Sequence, residues 1–102
     1  MKCIKRNGQE VEFNNEKIKI AITNANNNID ELSKRLSENQ IEKITNEITK
    51  KCENMGRAVG VEEIQDMVEF AIMKEGAFDV AKHYITYRYT RQLARQKNTT
   101  DD

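Results

Sequence analysis

Apolar residues recur three and four positions apart along four stretches of this chain, the spacing of helices that bury one face. The pattern predicts helices over about 14–26, 41–55, 62–75 and 78–96, with Asn14 as the cap of the first. The first helix is expected to end at the asparagine run 26–28, the second at Gly56 and the third before Gly76. Four helices joined by short segments favour a bundle.

A β-hairpin is predicted before the first helix, where Asn7-Gly8 separates two short runs. A two-residue turn there would set Ile4 opposite Val11, and would put Ile4, Val11 and Phe13 on one apolar face with Lys5 on the other. The short run 58–61 favours a third strand beside the hairpin. The expected fold is therefore α+β and mainly α: a four-helix bundle capped by a small β-hairpin or three-stranded sheet.

The 102 residues fit one domain, predicted over 1–96, followed by a flexible tail or linker over 97–102 that has no apolar residue. Charges balance at 17 against 17, so no overall field favours DNA or a membrane. The chain has neither an apolar run of membrane-spanning length nor the start of a signal peptide, so a cytoplasmic location is expected. Cys3 and Cys52 stand alone and are interpreted as reduced thiols rather than zinc ligands.

Four short motifs occur in a characteristic order: Lys5-Arg6-Asn7-Gly8, then 14–18, 61–69 and 81–88. In this order they resemble the ATP-cone, the nucleotide-sensing regulatory domain of ribonucleotide reductases and of the repressor of their genes. The resemblance runs from about Cys3 to Arg91, and the ending 84–91 is most similar to the anaerobic (class III) ribonucleoside-triphosphate reductase. The repressor carries a four-cysteine zinc ribbon before its cone, and no such pattern precedes Lys5.

Basic residues near the hairpin are the first candidate site. Lys5 and Arg6 flank the turn, and Lys17 falls in the first turn of a helix, whose N-terminus attracts anions. Taken alone, such residues are more often simply solvated. The resemblance implies instead that these three hold nucleotide phosphates and that the segment from Val11 through Glu12, Phe13 and Asn14 to Lys17 lines the pocket. Val11 stands where many members of the family have a glutamate.

Further pocket residues are implied on the later helices. Gln65 matches a polar pocket position, Val61 occupies a place often held by threonine, and Arg91 stands where the family has a basic nucleotide contact. Some cones hold two nucleotides, and the resemblance suggests Lys82, Tyr87 and Arg88 for the second. The alternative for this last helix is an ordinary solvated basic face with tyrosines bridging core and water.

The chain contains no nucleophile–base pair, metal cluster or Walker-type loop, so we expect it to bind and signal rather than to catalyse. The resemblance implies ATP or dATP as allosteric ligand, with Mg²⁺, ATP permitting and dATP inhibiting the activity of an attached reductase catalytic domain. Self-association is a further expectation. The alternatives are the cone of a transcriptional regulator, a nucleic-acid-binding module that uses Arg88, Arg91 and Arg95, and a purely structural helical domain.

Overall fold

The computed structural model describes residues 1–97, and side chains up to residue 94. Its four helices confirm the predicted mainly α, α+β fold: α1 Asn15–Asn27, α2 Glu38–Asn54, α3 Val61–Lys74 and α4 Phe78–Lys97. Its three short strands are β1 Lys2–Ile4, β2 Glu10–Glu12 and β3 Val59–Gly60, and a single 3-10 turn spans Leu32–Lys34. None of the described helices is long and apolar enough to cross a membrane.

The starts of α1 and α2 are fixed by side-chain caps. The Asn14 side-chain oxygen accepts a hydrogen bond from the backbone N–H of Glu16 at 3.0 Å. Ser37 and Gln40 form a reciprocal capping box, in which each side chain accepts from the other residue's backbone N–H. Such a cap typically stabilises a helix by about 1 kcal/mol. The cap at Asn14 places Lys17 in the first turn of α1.

The three strands form one sheet in the order β2-β1-β3, with β1 antiparallel to β2 and parallel to β3. The predicted third strand is therefore present. The predicted register is wrong by one residue: Cys3, not Ile4, lies opposite Val11, and Ile4 lies opposite Glu10. Cys3 and Val11 consequently share a face of the sheet.

The turn explains the shifted register. Gly8 has a φ of 87°, whereas Asn7 does not have the positive φ that a two-residue type I′ turn requires. Instead, Gly8 donates to the Lys5 carbonyl and Lys5 donates to the Gln9 carbonyl, both at 2.9 Å. The hairpin loop is thus longer than two residues, and its glycine adopts the left-handed conformation before β2 begins. Val11 and Phe13 border the same cavity as Lys5, as the resemblance implied, so the predicted separation of these two residues from Lys5 on opposite faces of the hairpin is wrong.

The core lies between the four helices and the inner face of the sheet. Its fully buried side chains come from every helix and from β3: Ile22, Ile44, Ile48, Cys52, Val59, Val68, Ile72 and Val80. Helix α4 buries Val80, Ala81 and Tyr84 rather than Ile85 and Leu93, which remain 41% exposed. Because α4 packs against both α1 and α3, those two helices decide which of its faces is covered.

Helix α4 continues through Lys97, the first residue of the predicted tail, and residues 98–102 lie outside the described range. The division into a domain over 1–96 and a tail over 97–102 stays a prediction.

Candidate functional site

A cavity of about 690 Å³ opens between the hairpin, the N-termini of α1 and α3, and one face of α4. Cavities of roughly 300–1,000 Å³ are typical of small-molecule sites. Every residue predicted to contact a first nucleotide borders it: Lys5, Arg6, Val11, Glu12, Phe13, Asn14, Lys17, Val61, Gln65 and Arg91. Segments far apart in the sequence are therefore brought to a single concave surface.

Cationic side chains border this cavity on three sides. Lys5 comes from the hairpin loop, Lys17 from the first turn of α1, and Arg91 from α4. Within the described part of the chain, neither Lys5 nor Lys17 forms an ion pair. Glu12 also borders the cavity, but its carboxylate pairs with Lys2 at 3.5 Å, across the strands on the face opposite Cys3 and Val11. The local charge therefore favours an anion.

Arg6 connects the hairpin loop to the start of α3. Its guanidinium forms an ion pair with Glu62, and its Nη2 donates to the Gln65 side-chain oxygen at 2.9 Å. The Nε–H is buried and has no hydrogen-bond partner among the described residues. Buried donors are nearly always paired, so this orphan fits a site that takes an additional acceptor, as a phosphate would supply.

The deeper wall of the cavity is apolar and aromatic. Phe13, Ile18, Ile64 and Tyr84 border it, and Tyr84 is only 5% exposed. Burial raises the pKa of the Tyr84 phenol, so the group stays protonated and can still donate a hydrogen bond. Burial likewise raises the pKa of the Cys3 thiol, against the opposing charge of Lys17. The cavity thus pairs a cationic rim with a largely apolar interior, as a nucleotide requires.

Comparison with known proteins decides the family, because the sequence model of the ATP cone domain family matches residues 1–93 of this chain. The chain belongs to the ATP-cone family. Ribonucleoside-diphosphate reductase subunit alpha of Chlamydia muridarum is 34% identical to it over 103 residues, which cover 93% of this chain and 10% of the relative. The same subunit of Chlamydia pneumoniae is also 34% identical, with 96% and 10% covered. The chain therefore spans about a tenth of the length of these relatives.

The relatives correct one expectation about this ATP-cone. They are ribonucleoside-diphosphate reductase subunits, so they support that class (class I) rather than the anaerobic triphosphate class suggested by the ending 84–91. Both belong to ribonucleotide reductases, and the correction leaves the expectation of a nucleotide-binding regulatory domain intact. The ending alone therefore does not identify the reductase class.

Some residues of the cavity in this ATP-cone were not predicted to be part of a site. They include Cys3, Asn7, Ile18, Ala21, Ile64, Tyr84 and Ala94. Ile18 and Ile64 are buried core residues and Ala21 packs against the core, so the cavity reaches down to the core. The correct register would have predicted Cys3 as a residue of the cavity, because it places Cys3 opposite Val11 on the same face of the sheet.

The residues suggested for a second nucleotide do not meet in one place. Tyr87 borders the main cavity, with its ring centre 5.9 Å from the Arg91 guanidinium carbon. Arg88 is already paired with Asp66 at 2.8 Å and Glu69 at 2.7 Å on α3, and its side chain is 18% exposed. Lys82 borders a separate cavity of about 250 Å³ beside His83. A second site stays a prediction, and the Arg95 side chain lies outside the described residues.

Proposed function

We propose that this ATP-cone binds ATP or dATP, with Mg²⁺, in the 690 Å³ cavity and thereby regulates a ribonucleotide reductase. ATP would permit activity of the attached catalytic domain and dATP would inhibit it. One observation carries the proposal: the hairpin, α1, α3 and α4 all contribute their predicted nucleotide contacts to the same cavity. Because these segments are up to 86 positions apart in sequence, from Lys5 to Arg91, chance convergence is a poor explanation.

The phosphates are assigned to the cationic rim. Lys5 and Lys17 offer ammonium groups without a partner in the described residues, and the N-terminus of α1 adds backbone donors and a favourable dipole. The Arg6 guanidinium has a donor to spare at Nε. Charge-assisted hydrogen bonds of this kind are worth about 1.5–3 kcal/mol each, so this rim supplies most of the affinity.

The nucleoside is assigned to the interior beside Val11, Phe13 and Val61. With valine at position 11, no side-chain carboxylate at that point can recognise the base, so recognition is assigned to backbone groups and to the side-chain amides nearby. The Asn14 side-chain oxygen is engaged in capping α1, and the Gln65 side-chain oxygen accepts from Arg6. Each amide retains its NH₂ group as a donor to the ligand.

ATP and dATP differ by one ribose hydroxyl, so their opposite effects must come from a small difference in binding to two conformations of the domain. A ligand shifts a conformational equilibrium only by its differential affinity for the two states. We infer that the states differ in the position of the hairpin relative to α3 and α4, because the cavity lies between these elements.

Calorimetric titration with ATP and with dATP in the presence of Mg²⁺ tests the proposal. Saturable binding of both, with a stoichiometry of one, would support a single nucleotide in this cavity, and a stoichiometry of two would revive the second site. The matched control is Lys50→Ala, which removes an exposed lysine of α2 away from the cavity and should bind as the unmodified chain does. Flat titrations with both nucleotides would contradict the proposal.

A further inference from the structure

Glu62 forms an ion pair with Arg6, a residue of the cavity, but does not border the cavity itself. It is the second residue of α3, and its carboxylate pairs with Nη1 of Arg6, 56 positions earlier in the chain. The Glu62 side chain is 60% exposed, whereas that of Arg6 is 18% exposed. One end of the pair thus faces solvent while the other faces the nucleotide cavity.

A carboxylate and a phosphate compete for the same donors of a guanidinium. A carboxylate is planar and a phosphate is tetrahedral, but arginine binds the oxygens of either group through its forked N–H groups. In this chain one N–H of Nη2 donates to Gln65 and one N–H of Nη1 donates to Glu62, while the buried Nε–H has no partner among the described residues. Because Nε offers a single N–H, a phosphate that binds Arg6 through two donors must use at least one terminal nitrogen, and must share it with Glu62 or Gln65 or displace one of them.

From this geometry we propose that Glu62 is a built-in competitor of phosphate for Arg6, and so sets the affinity of the site and its preference for nucleotide charge. The inference rests on the proposed function, since it assumes that phosphates bind at Arg6. Of the two side chains on Arg6, Glu62 is the one that phosphate repels, because the Gln65 amide is neutral. Even when displaced, the Glu62 carboxylate stays on the first turn of α3 and continues to disfavour a nearby polyanion.

The exposure of Glu62 makes the competition modest. Ion pairs with a solvent-exposed partner shift an equilibrium by about two- to fivefold, which a polyphosphate can overcome. Displaced Glu62 also keeps a favourable position, because an acid at a helix N-terminus interacts well with the helix dipole. The pair therefore restrains Arg6 before the ligand arrives without locking it.

The chain offers a closely matched control in Glu63. Glu62 and Glu63 are adjacent in the first turn of α3, and each pairs with one arginine. Glu63 pairs with Arg57 at 2.8 Å, and neither of these residues borders the cavity. Glu62→Gln and Glu63→Gln thus remove the same charge from the same helix turn and free one arginine each. Only the first frees an arginine of the proposed site.

The experiment is calorimetric titration of the unmodified chain, Glu62→Gln and Glu63→Gln with Mg-free ATP, ADP and AMP. We expect Glu62→Gln to tighten ATP binding by about two- to fivefold. The gain should shrink from ATP to AMP, and should shrink for ATP as salt is raised, because it depends on ligand charge. Glu63→Gln should bind all three as the unmodified chain does. Glu62→Ala provides a second variant that should show the same sign.

The direction of the effect separates competition from positioning. If Glu62 merely held Arg6 in a productive orientation, Glu62→Gln and Glu62→Ala would weaken ATP binding, and this result would overturn the inference. Unchanged affinity, or an equal gain in Glu63→Gln, would overturn it as well. In these cases the proposed function survives if the unmodified chain binds ATP and a Lys5→Ala/Arg6→Ala variant does not. Failure of the unmodified chain to bind any of the nucleotides would overturn both.

Discussion

Lys5, Lys17 and Arg6 share a positive charge but differ in what they contact before a ligand arrives. Lys5 and Lys17 have no ion-pair partner in the described residues, whereas Arg6 is engaged by both Glu62 and Gln65. Charge alone, which is all that the sequence provides, does not distinguish these situations. The two lysines are free to bind phosphate directly, while Arg6 must share its guanidinium with Glu62 and Gln65 or lose one of these contacts.

We expect a Lys5→Ala/Arg6→Ala variant to lose most of its nucleotide affinity. Each charge-assisted contact to phosphate is worth about 1.5–3 kcal/mol, so the loss should be roughly tenfold or more per residue. The thermal midpoint should change little, because Lys5 is exposed and the Arg6–Glu62 pair is partly exposed. Calorimetry with dATP and a thermal melt measure the two effects.

The matched control for this variant is Lys50→Ala/Arg57→Ala, which also removes one exposed lysine and one arginine paired with an acid of α3. It should bind dATP as the unmodified chain does. If Lys5→Ala/Arg6→Ala retained full dATP affinity with a native midpoint, the assignment of the phosphate site to the hairpin would be wrong.

The two thiols should report on the occupancy of the cavity. Cys3 borders it and is half-buried, and burial raises its pKa, so at pH 8 it holds less thiolate than a free cysteine and alkylates more slowly. Bound nucleotide should slow the reaction further. Cys52 lies in the core and should react only on unfolding, which makes it an internal control. Mass spectrometry of alkylated peptides measures both rates; equal Cys3 rates with and without saturating dATP would count against a ligand in this cavity.

Helices and strands differ in how far local patterns determine them. The helices follow from apolar spacing and from caps such as Asn14, which act within a few residues, and they could be predicted; the capping box at Ser37 was not predicted, and α2 begins at Glu38 rather than near residue 41. The register of the hairpin depends on one backbone angle, at Asn7, and a single-residue change in the turn exchanged Ile4 for Cys3 opposite Val11. The covered face of α4 depends on α1 and α3, so the exposure of Ile85 could not be read from its own spacing.

The residues of the candidate site likewise include some that local sequence predicts and some that it does not. Its polar contacts, such as Lys17 and Gln65, could be named because they lie in short motifs that resemble a known family. Its apolar wall could not, since a residue such as Ile64 has the same helical spacing whether it packs in a core or borders a cavity. The pairing of Arg6 with Glu62 was equally inaccessible, because it joins residues 56 positions apart.

Nucleotide should order the hairpin more than it orders the helical core. The strands are short, and of the side chains of β1 and β2 only Cys3 packs against the core, joined by Phe13 just after β2. Segments with few buried contacts open most readily, so they gain most from a bound ligand. At about a hundred times the dissociation constant, binding adds about 2.7 kcal/mol of apparent stability. Hydrogen exchange with and without dATP should therefore slow most at residues 2–13, and slowing confined to 41–52 in α2 would show that the ligand binds elsewhere.

On the scale of the domain, α4 is the element that joins the cavity to the outer surface. Tyr87 and Arg91 border the cavity, while Ile85, Tyr89 and Leu93 of the same helix are exposed. If one of the two nucleotides shifts α4 and the other does not, the exposed apolar surface formed by this helix therefore changes. A regulatory domain that acts by binding has to signal through a surface whose shape or order depends on the ligand.

We therefore expect dATP to promote self-association of this chain more than ATP does. Light scattering across micromolar concentrations should give a larger mass with dATP than with ATP or without nucleotide. Tyr89→Ser/Leu93→Ser should abolish the difference while leaving dATP affinity unchanged, because neither side chain borders the cavity and exposed apolar residues contribute little to folding. The same mass in all three states would refute self-association. The difference between ATP and dATP would then have to act on a catalytic domain joined to this one, and the exposed face of α4 would be the first place to look for that contact.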